Sequence, residues 1–558
     1  MGNANINPLT DFWLNLPEEL KAKLRLGFTG KLHLLDIAGW CLRSGDPSLN
    51  TIAADAIQTA LGENPLDGGM ATELISIDAI RAILHQDTLT ALTALADNWH
   101  RPDNTGYFER ILAKRDFPKI KHFIEQSAAK EPGNLFWREQ AVAMGLIDND
   151  PDWASSLMNF DAPVGTEPLM VNVEARIGLF RHQCSDAARL TQDVGQTFGP
   201  SFSALRAGLC MLEEGDVDTA NLLLLDSLSQ TPWNTSLLMR THDLLSGWDK
   251  EQSPLSGSTA ILLYSWNKEI ELDATLRSLM ASDLSDASIF VLDNGSTDRT
   301  SEMLASWQTR FESTLGKGKF TTISLPVNVG APAARNWLMH LDGVREHDFI
   351  CYLDDDVELP ADWLLKLGTA VNQYPDAGVW GCKVVDHANG ALIQSADSHL
   401  HVDPNAPPLD LTRTAPNPFK LTDLHIQNLD TGLFDILRPC ASVTGCCHLF
   451  RTEVLLESGD FAIHLSPTQY DDMEHDLRLC EAGLFAVYQG HLSVRHKKRT
   501  GAASRVSMQE EGNALGNKYK MQTMHNHEEL VAAMTAEQEL LEKDLLMKIQ
   551  VVERVLVG

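Results

Sequence analysis

The sequence predicts an α/β domain of the Rossmann-like kind, with a largely parallel sheet, preceded by an all-α domain. Three observations carry this. Between residues 10 and 247, apolar residues recur at intervals of three and four, as at Leu32, Leu35, Ile37 and Leu42, which is the period of amphipathic helices. From about residue 258, apolar runs of strand length alternate with helical patterns, the signature of strand–helix–strand units. Polar clusters stand at the ends of those runs, where parallel sheets bind ligands.

The all-α part is expected over 1–250. Within it Gly208, Ala220 and Pro232 stand twelve apart with Gly215 between. Small residues at such places let two helices pack closely, and the proline ends the second. The segment resembles a tetratricopeptide repeat, with Ala204 where that pattern prefers Trp, and Pro168 and Pro200 form a weaker echo. A generic helical bundle is the alternative. The polar stretch WDKEQSPLSGS, ending at Ser258, supplies a linker over 251–258. Strands are expected at 260–264, 288–292, 320–325 and 349–353, and helices at 269–282, 298–312 and 330–341. The α/β domain runs over 258–505. A helical extension follows over 506–558, with Leu530, Met534, Leu540, Leu541, Leu545 and Ile549 on one face.

Composition narrows the function. The 558 residues are 44% hydrophobic and 22% charged, ordinary for a globular protein. The net charge of -31 disfavours nucleic acid and anionic membranes as partners. Nine scattered cysteines without a CxxC pair argue against a disulfide framework and fit a reducing compartment. The adjacent Cys446 and Cys447 read as small buried residues. The first 30 residues lack an apolar signal region, no apolar run is long enough for a spanning helix, and Ile6 disfavours myristoylation. The expectation is a cytoplasmic protein.

The most telling cluster is LDDDV, 353–357, directly after the strand FICY. Three carboxylates at a strand end repel one another unless a divalent cation such as Mg²⁺ or Mn²⁺ sits among them. In an extended segment Asp354 and Asp356 face one way and Asp355 the other. The alternative is a solvated acidic turn. In VLDNGSTD, 291–298, Asp293 can accept from a nucleobase N–H, Gly295 permits a sharp turn, and Thr297 is a candidate N-cap; a well-made strand-to-helix turn would look the same. Arg335, in NVGAPAARN, is a candidate phosphate partner or a surface ion-pair residue.

In this order the motifs resemble family 2 glycosyltransferases of the GT-A fold. The first-strand turn is LLYSWNKE, where Tyr264 departs from the usual Pro and Asn267 matches. DNGSTD, Asn328 with Gly330, Arg335 with Asn336, and Asp354 to Asp356 follow. GVWGCKVVDHANGALIQSA, VTGCCHLFRTEVLLESGDF, QYDDMEHDLRLCEAG and HLSVRH extend the likeness to about 240 residues across a variable insert at 397–438. The resemblance implies an inverting transfer of sugar from a nucleotide-sugar, with UDP the likeliest nucleotide, to an acceptor hydroxyl. It places the catalytic base on Asp472, the metal on Asp354, Asp356 and His496, and donor binding on Tyr264, Asn267, Asp293, Arg335, Asp354, Asp355 and Lys498. Like-charge repulsion from Asp471 and Glu474 is expected to raise the pKa of Asp472, which would also cap the helix Met473–Glu481. The run His496–Arg499, followed by Gly501, would close over the donor as a mobile loop. The helical half suggests a protein acceptor such as flagellin; surface polysaccharide or lipid-linked glycan synthesis is the enzymatic alternative. An inactive helical-repeat scaffold is the non-enzymatic one. A nucleotidyltransferase is disfavoured because LLYSWNKE lacks the Gly-rich basic loop.

Overall fold

The computed structural model describes residues 8–557 except 29, 182, 200, 285, 406–418, 423–428 and 499–507. The chain forms two compact units, Met1–Leu245 with Leu546–Gly558, and Ser246–Leu545.

The first unit is entirely helical over 8–247 among the described residues. The segment with repeat-like spacing forms two helices, Phe202–Glu213 and Val217–Gln230. Gly208 explains their close approach: a Cβ there would lie 2.8 Å from Leu224 Cδ2. Ala220 is fully buried on the facing helix, and Gly215 takes φ 84° in the turn. This is a tight helix–turn–helix; the spacing was legible because small residues are what such a contact needs.

The second unit is α/β. Its strands are β1 (Thr259–Ser265), β2 (Ala287–Asp293), β3 (Phe320–Ser324), β4 (Phe349–Leu353), β5 (Val357–Glu358), β6 (Val379–Asp386), β7 (Ile393–Ser395), β8 (Leu400–Val402), β9 (Phe419–Leu421), β10 (Leu437–Cys440), β11 (Cys447–Arg451) and β12 (Ala486–His496). The main sheet runs β10-β12-β6-β11-β4-β1-β2-β3, with β5 on β12 and β7 on β6; β8 and β9 form a separate pair. Strands β1 to β4 are parallel, as the alternation of strands and helices predicts. β11 lies antiparallel between β4 and β6, so the sheet is mixed. The helices Glu269–Met280, Thr300–Leu315 and Ala331–Met339 fall where the sequence places them. Leu272, Leu276, Trp307, Phe311 and Trp363 bury their side chains against Ile261, Leu263, Val291 and Cys351 of the central strands.

Residues 251–253 pack on the helix Trp363–Gln373: Thr369 Oγ1 donates to the Glu251 carbonyl at 3.0 Å, and Ser253 N–H donates to the Leu365 carbonyl at 3.2 Å. The C-terminal region forms the helices Met508–Gln522 and His527–Val557. Leu530 and Ala533 join Leu465, Leu477 and Phe485 in a second core. Glu537 is buried there, and its two oxygens take His399 Nδ1 and the Leu400 N–H.

Candidate active site

The site assembles where β1, β2 and β4 end. Parallel strands leave their last residues at one edge, so Tyr264, Asp293 and Asp354 stand on neighbouring strands in register: Ser265 pairs with Asp293, and Leu263 with Leu353.

The acidic turn after β4 is tied to three other segments. Asp354 N–H donates to the Cys446 carbonyl at 3.2 Å. His496 Nε2 lies 3.0 Å from Asp356 Oδ1 and 4.0 Å from Asp354 Oδ2. Its Nδ1 meets Gln394 Oε1 at 2.9 Å. A carbonyl oxygen only accepts, so Gln394 fixes a proton on Nδ1; Nε2, which donates to Asp356 when protonated, is the nitrogen whose lone pair would face a bound cation. Asp354 and Asp356 therefore address one group, as expected. The expected opposite facing of Asp355 does not hold, because residues 355 and 356 form a turn and not an extended segment. Lys268 Nζ reaches both, at 2.8 Å from Asp355 Oδ1 and 3.0 Å from Asp356 Oδ2.

The two carboxyls respond differently. Burial pushes Asp355 up to about 6 against the charge of Lys268. Burial acts the same way on Asp356, but the hydrogen bond and charge of His496, with Lys268, outweigh it and hold the carboxyl well below its usual range. Burial opposes the charged form of His496, yet Asp356 and Asp354 raise its pKa. Two carboxylates and an imidazole lone pair make a hard donor set suited to Mn²⁺ or Mg²⁺.

The loop after β2 is a hydrogen-bonded clamp. Asp293 Oδ1 accepts the Ser296 N–H at 2.9 Å, and Asn267 Oδ1 accepts that of Thr297 at 2.7 Å. Thr297 is thus not an N-cap. The helix starts at Thr300, whose N–H and hydroxyl both bond Asp298 Oδ1. Gly295 takes φ 77°, and a Cβ there would sit 2.5 Å from the Val327 carbonyl carbon, so the expected sharp turn does require glycine. Asn294 Oδ1 accepts the Val329 N–H and its Nδ2 donates to Asn328, joining this loop to the next.

On the other side stand Asp471 and Asp472. The helix begins at Asp471, so Asp472 lies within its first turn; Tyr470, at φ 70°, holds the N-cap position without a side-chain cap bond. The expected capping role of Asp472 is corrected accordingly. Asp472 is half-buried, and its Oδ2 accepts the Gly445 N–H at 2.8 Å. A Cβ on Gly445 would lie 2.6 Å from that oxygen and 2.7 Å from Arg335 Nη2, which places guanidinium and carboxylate together. Arg335 is 4% exposed, and its Nη1 bonds Asp471 Oδ2 at 2.7 Å. Its guanidinium also lies against the rings of Tyr264, Tyr352 and Phe461, at 5.6, 5.9 and 5.2 Å. Arg335 is therefore a buried counter-ion to the acidic pair and not a surface ion-pair residue.

The expected raised pKa of Asp472 is also overturned. Burial pushes that way, but Arg335, His448 and the N–H groups of Gly445 and Met473 outweigh it and hold the carboxyl below its usual range. Asp471 carries the upward shift: burial, helped by the charge of Asp472, raises it to about 6 against Arg335. Lys498 follows β12, and its carbonyl accepts from Gln394 Nε2 at 3.1 Å. Arg499 and Gly501 of the expected closing loop lie outside the described residues.

Residues 261–458 match the family described as Glycosyl transferase family 2. The α/β unit contains a family 2 glycosyltransferase domain. With its mixed sheet, the domain has the GT-A architecture that the motif order implies. The matched segment holds Tyr264, Asn267, Asp293, Arg335 and Asp354 to Asp356, and stops short of Asp472 and His496. No curated protein matches the chain. Among solved structures, a crystal structure of GalNAc-T7 with UDP, GalNAc and Mn²⁺ aligns at TM-score 0.34 and 15% identity, over 48% of this chain and 47% of that one. TarS of S. aureus aligns at 0.29 and 15%, over 43% and 36%. The mannosyltransferase PcManGT from Pyrobaculum calidifontis, in complex with GDP-Man and Mn²⁺, aligns at 0.34 and 14%, over 59% and 84%. The chain thus spans less than two thirds of the first two. At these scores the likeness carries no argument, and the family match alone bears on the glycosyltransferase domain.

Sequence reasoning missed Lys268, Gln394 and His448, whose Nε2 lies 3.5 Å from Asp476 Oδ2. Lys268 stands beside Asn267 in a quoted motif, and its charge next to a strand end was an available signal. Gln394 and His448 give none, because their roles come from residues distant in sequence.

Proposed function

We propose that the chain is a divalent-metal-dependent, inverting glycosyltransferase that moves a sugar from a nucleotide-sugar, with UDP as the nucleotide, to an acceptor hydroxyl. The observation that supports this reading is the approach of both Asp356 and Asp354 to His496 Nε2, at 3.0 and 4.0 Å, with Asp472 anchored by Gly445 in the adjoining wall. Asp354, Asp356 and His496 would hold Mn²⁺ or Mg²⁺, which when bound neutralises charge developing on the leaving diphosphate.

The chain's own residues do the rest. Tyr264, Asn267, Asp293 and Asp355 line the strand ends that receive the nucleoside, and Lys498 supplies positive charge toward the diphosphate. Asp472 takes the proton of the acceptor hydroxyl as its oxygen attacks the anomeric carbon. The new carbon–oxygen bond forms as the bond to the diphosphate breaks, and the electron pair leaves with the phosphate. A single displacement of this kind inverts the anomeric centre. Asp471, with its higher pKa, would be the stronger base, but it is 2% exposed and bonded to Arg335. Access therefore favours Asp472, the half-buried member of the pair. The acceptor is a protein, presented by the tetratricopeptide-like helical domain over 1–250, with catalysis in 258–505.

A donor panel tests the reading. Incubation with UDP-, dTDP- and GDP-sugars and Mn²⁺ should release nucleoside diphosphate from at least one donor. EDTA should stop the release, and Mn²⁺ or Mg²⁺ should restore it. Release unaffected by chelator would remove the metal role, and no release from any donor would remove the activity.

A further inference from the structure

Asp354, Cys446 and His496 each offer a ligand atom, and these atoms lie within 4.8 Å of one another. Cys446 sits there on fixed backbone. Its carbonyl accepts the Asp354 N–H at 3.2 Å, and the next residue, Cys447, pairs with Leu353 in the antiparallel β11–β4 ladder. That pairing fixes the backbone from which the thiol projects. His496 is held from behind by Gln394. Cys446 is 6% exposed, whereas Cys447 and its thiol neighbours Cys351 and Cys382 are fully buried within the sheet.

We propose that Cys446 is a further donor at this site, alongside Asp354 and His496, so that the site also takes thiophilic divalent cations, Zn²⁺ and Cd²⁺, through sulfur. The proposal rests on the metal reading of Asp354 and His496 given above. Sulfur, imidazole and carboxylate together are a donor mix that zinc uses, and affinity for nitrogen and sulfur sites rises from Mn²⁺ to Zn²⁺. When such a cation binds, the metal–sulfur bond forms and the thiol proton leaves to solvent. The site would then bind Mn²⁺ through oxygen and nitrogen and exchange it for Zn²⁺ where zinc is available.

The test uses the full chain, stripped with chelator and titrated with Cd²⁺ alone, following the ultraviolet sulfur-to-metal charge-transfer band. The expected band saturates at one equivalent, disappears in Cys446→Ser and in Cys446→Ala, and survives in Cys447→Ser. An undiminished band in the Cys446 variants, or no band in the wild type, overturns the proposal. Mn²⁺ binding to the wild type, read from the paramagnetic resonance signal of the free ion, separates the two readings. Mn²⁺ binding without a Cd²⁺ band defeats the sulfur inference alone, whereas failure of both ions to bind defeats the metal site and the inference with it.

Discussion

Two carboxyls buried to similar depth, Asp55 in the helical unit and Asp356 in the glycosyltransferase domain, meet different partners and respond differently. Asp55 is 6% exposed and Asp356 is 4% exposed. Asp55 accepts the indole N–H of Trp233 at 3.2 Å, and Glu139 that of Trp99 at 2.8 Å. A neutral donor offsets little of the cost of burying charge, so burial raises these groups to about 6 and about 7. Asp356 and Asp472 meet cationic side chains instead and are held below their usual range. Glu63, between Arg176 and Arg206 in the helical unit, behaves like them. Cationic partners hold Asp356, Asp472 and Glu63 ionised, but a cation alone does not decide the outcome: burial still lifts Asp355 and Asp471 to about 6 beside Lys268 and Arg335. A metal ligand or a base that must be ready at neutral pH needs the cationic surroundings.

Three changes sharpen that comparison. The largest effect is expected from Arg335→Met, which leaves Asp471 buried without its counter-ion. Breaking a buried pair costs about 3–5 kcal/mol, so the denaturant midpoint of the glycosyltransferase domain should fall steeply. A midpoint near wild type would mean that Asp472 and Asp471 do not depend on that charge. Next is Asp356→Asn. Loss of a group that only supports a metal ligand already costs about 10–100-fold in affinity. Mn²⁺ and donor binding should therefore weaken together by at least about 10²-fold, and retained affinity for both would exclude Asp356 as a ligand.

The smallest change is Glu139→Gln in the helical unit. The folded-state pKa of Glu139, about 7, lies above its unfolded value of 4.5. Its contribution to stability is therefore fully present below about pH 4.5 and is lost as pH rises through 7. Glutamine keeps an acceptor for Trp99 without the charge. At pH 8 the variant should gain on the order of 1 kcal/mol and show a flatter dependence of melting temperature on pH between 5 and 8. An unchanged pH profile would mean that Glu139 does not titrate as a buried group.

What the sequence made legible follows the same division. The strands β1 to β4 and the three helices between them could be read, because their apolar periods are local. The positions of Asp293, Asp354 and Asp356 could be read because each lies at or just past a strand end. His496 and Asp472 required the family resemblance, since nothing local links them to residues more than a hundred positions earlier. Their electrostatics could not be read at all. The expectation for Asp472 counted the neighbouring Asp471 and Glu474, while Arg335, His448 and the Gly445 N–H come from other elements. The antiparallel β11 was likewise hidden, because CHLFR carries no mark of strand direction. The extended reading of 354–356 failed because a turn at Asp355 looks, in composition, like a continuing strand end.

The account depends most on Asp472 as the base. Asp472→Asn retains an oxygen for the Gly445 N–H and leaves Arg335 bonded to Asp471, so the wall should keep its shape. The measurement is turnover and donor dissociation constant on the same preparation, with Mn²⁺ saturating. Turnover should fall by at least about 10²-fold, the lower end for general-base catalysis, while donor affinity stays near wild type. Ordinary turnover in Asp472→Asn would contradict the account and move the base to another residue, with Asp471 first; loss of donor binding would show that Asp472 holds the donor and does not act on the acceptor.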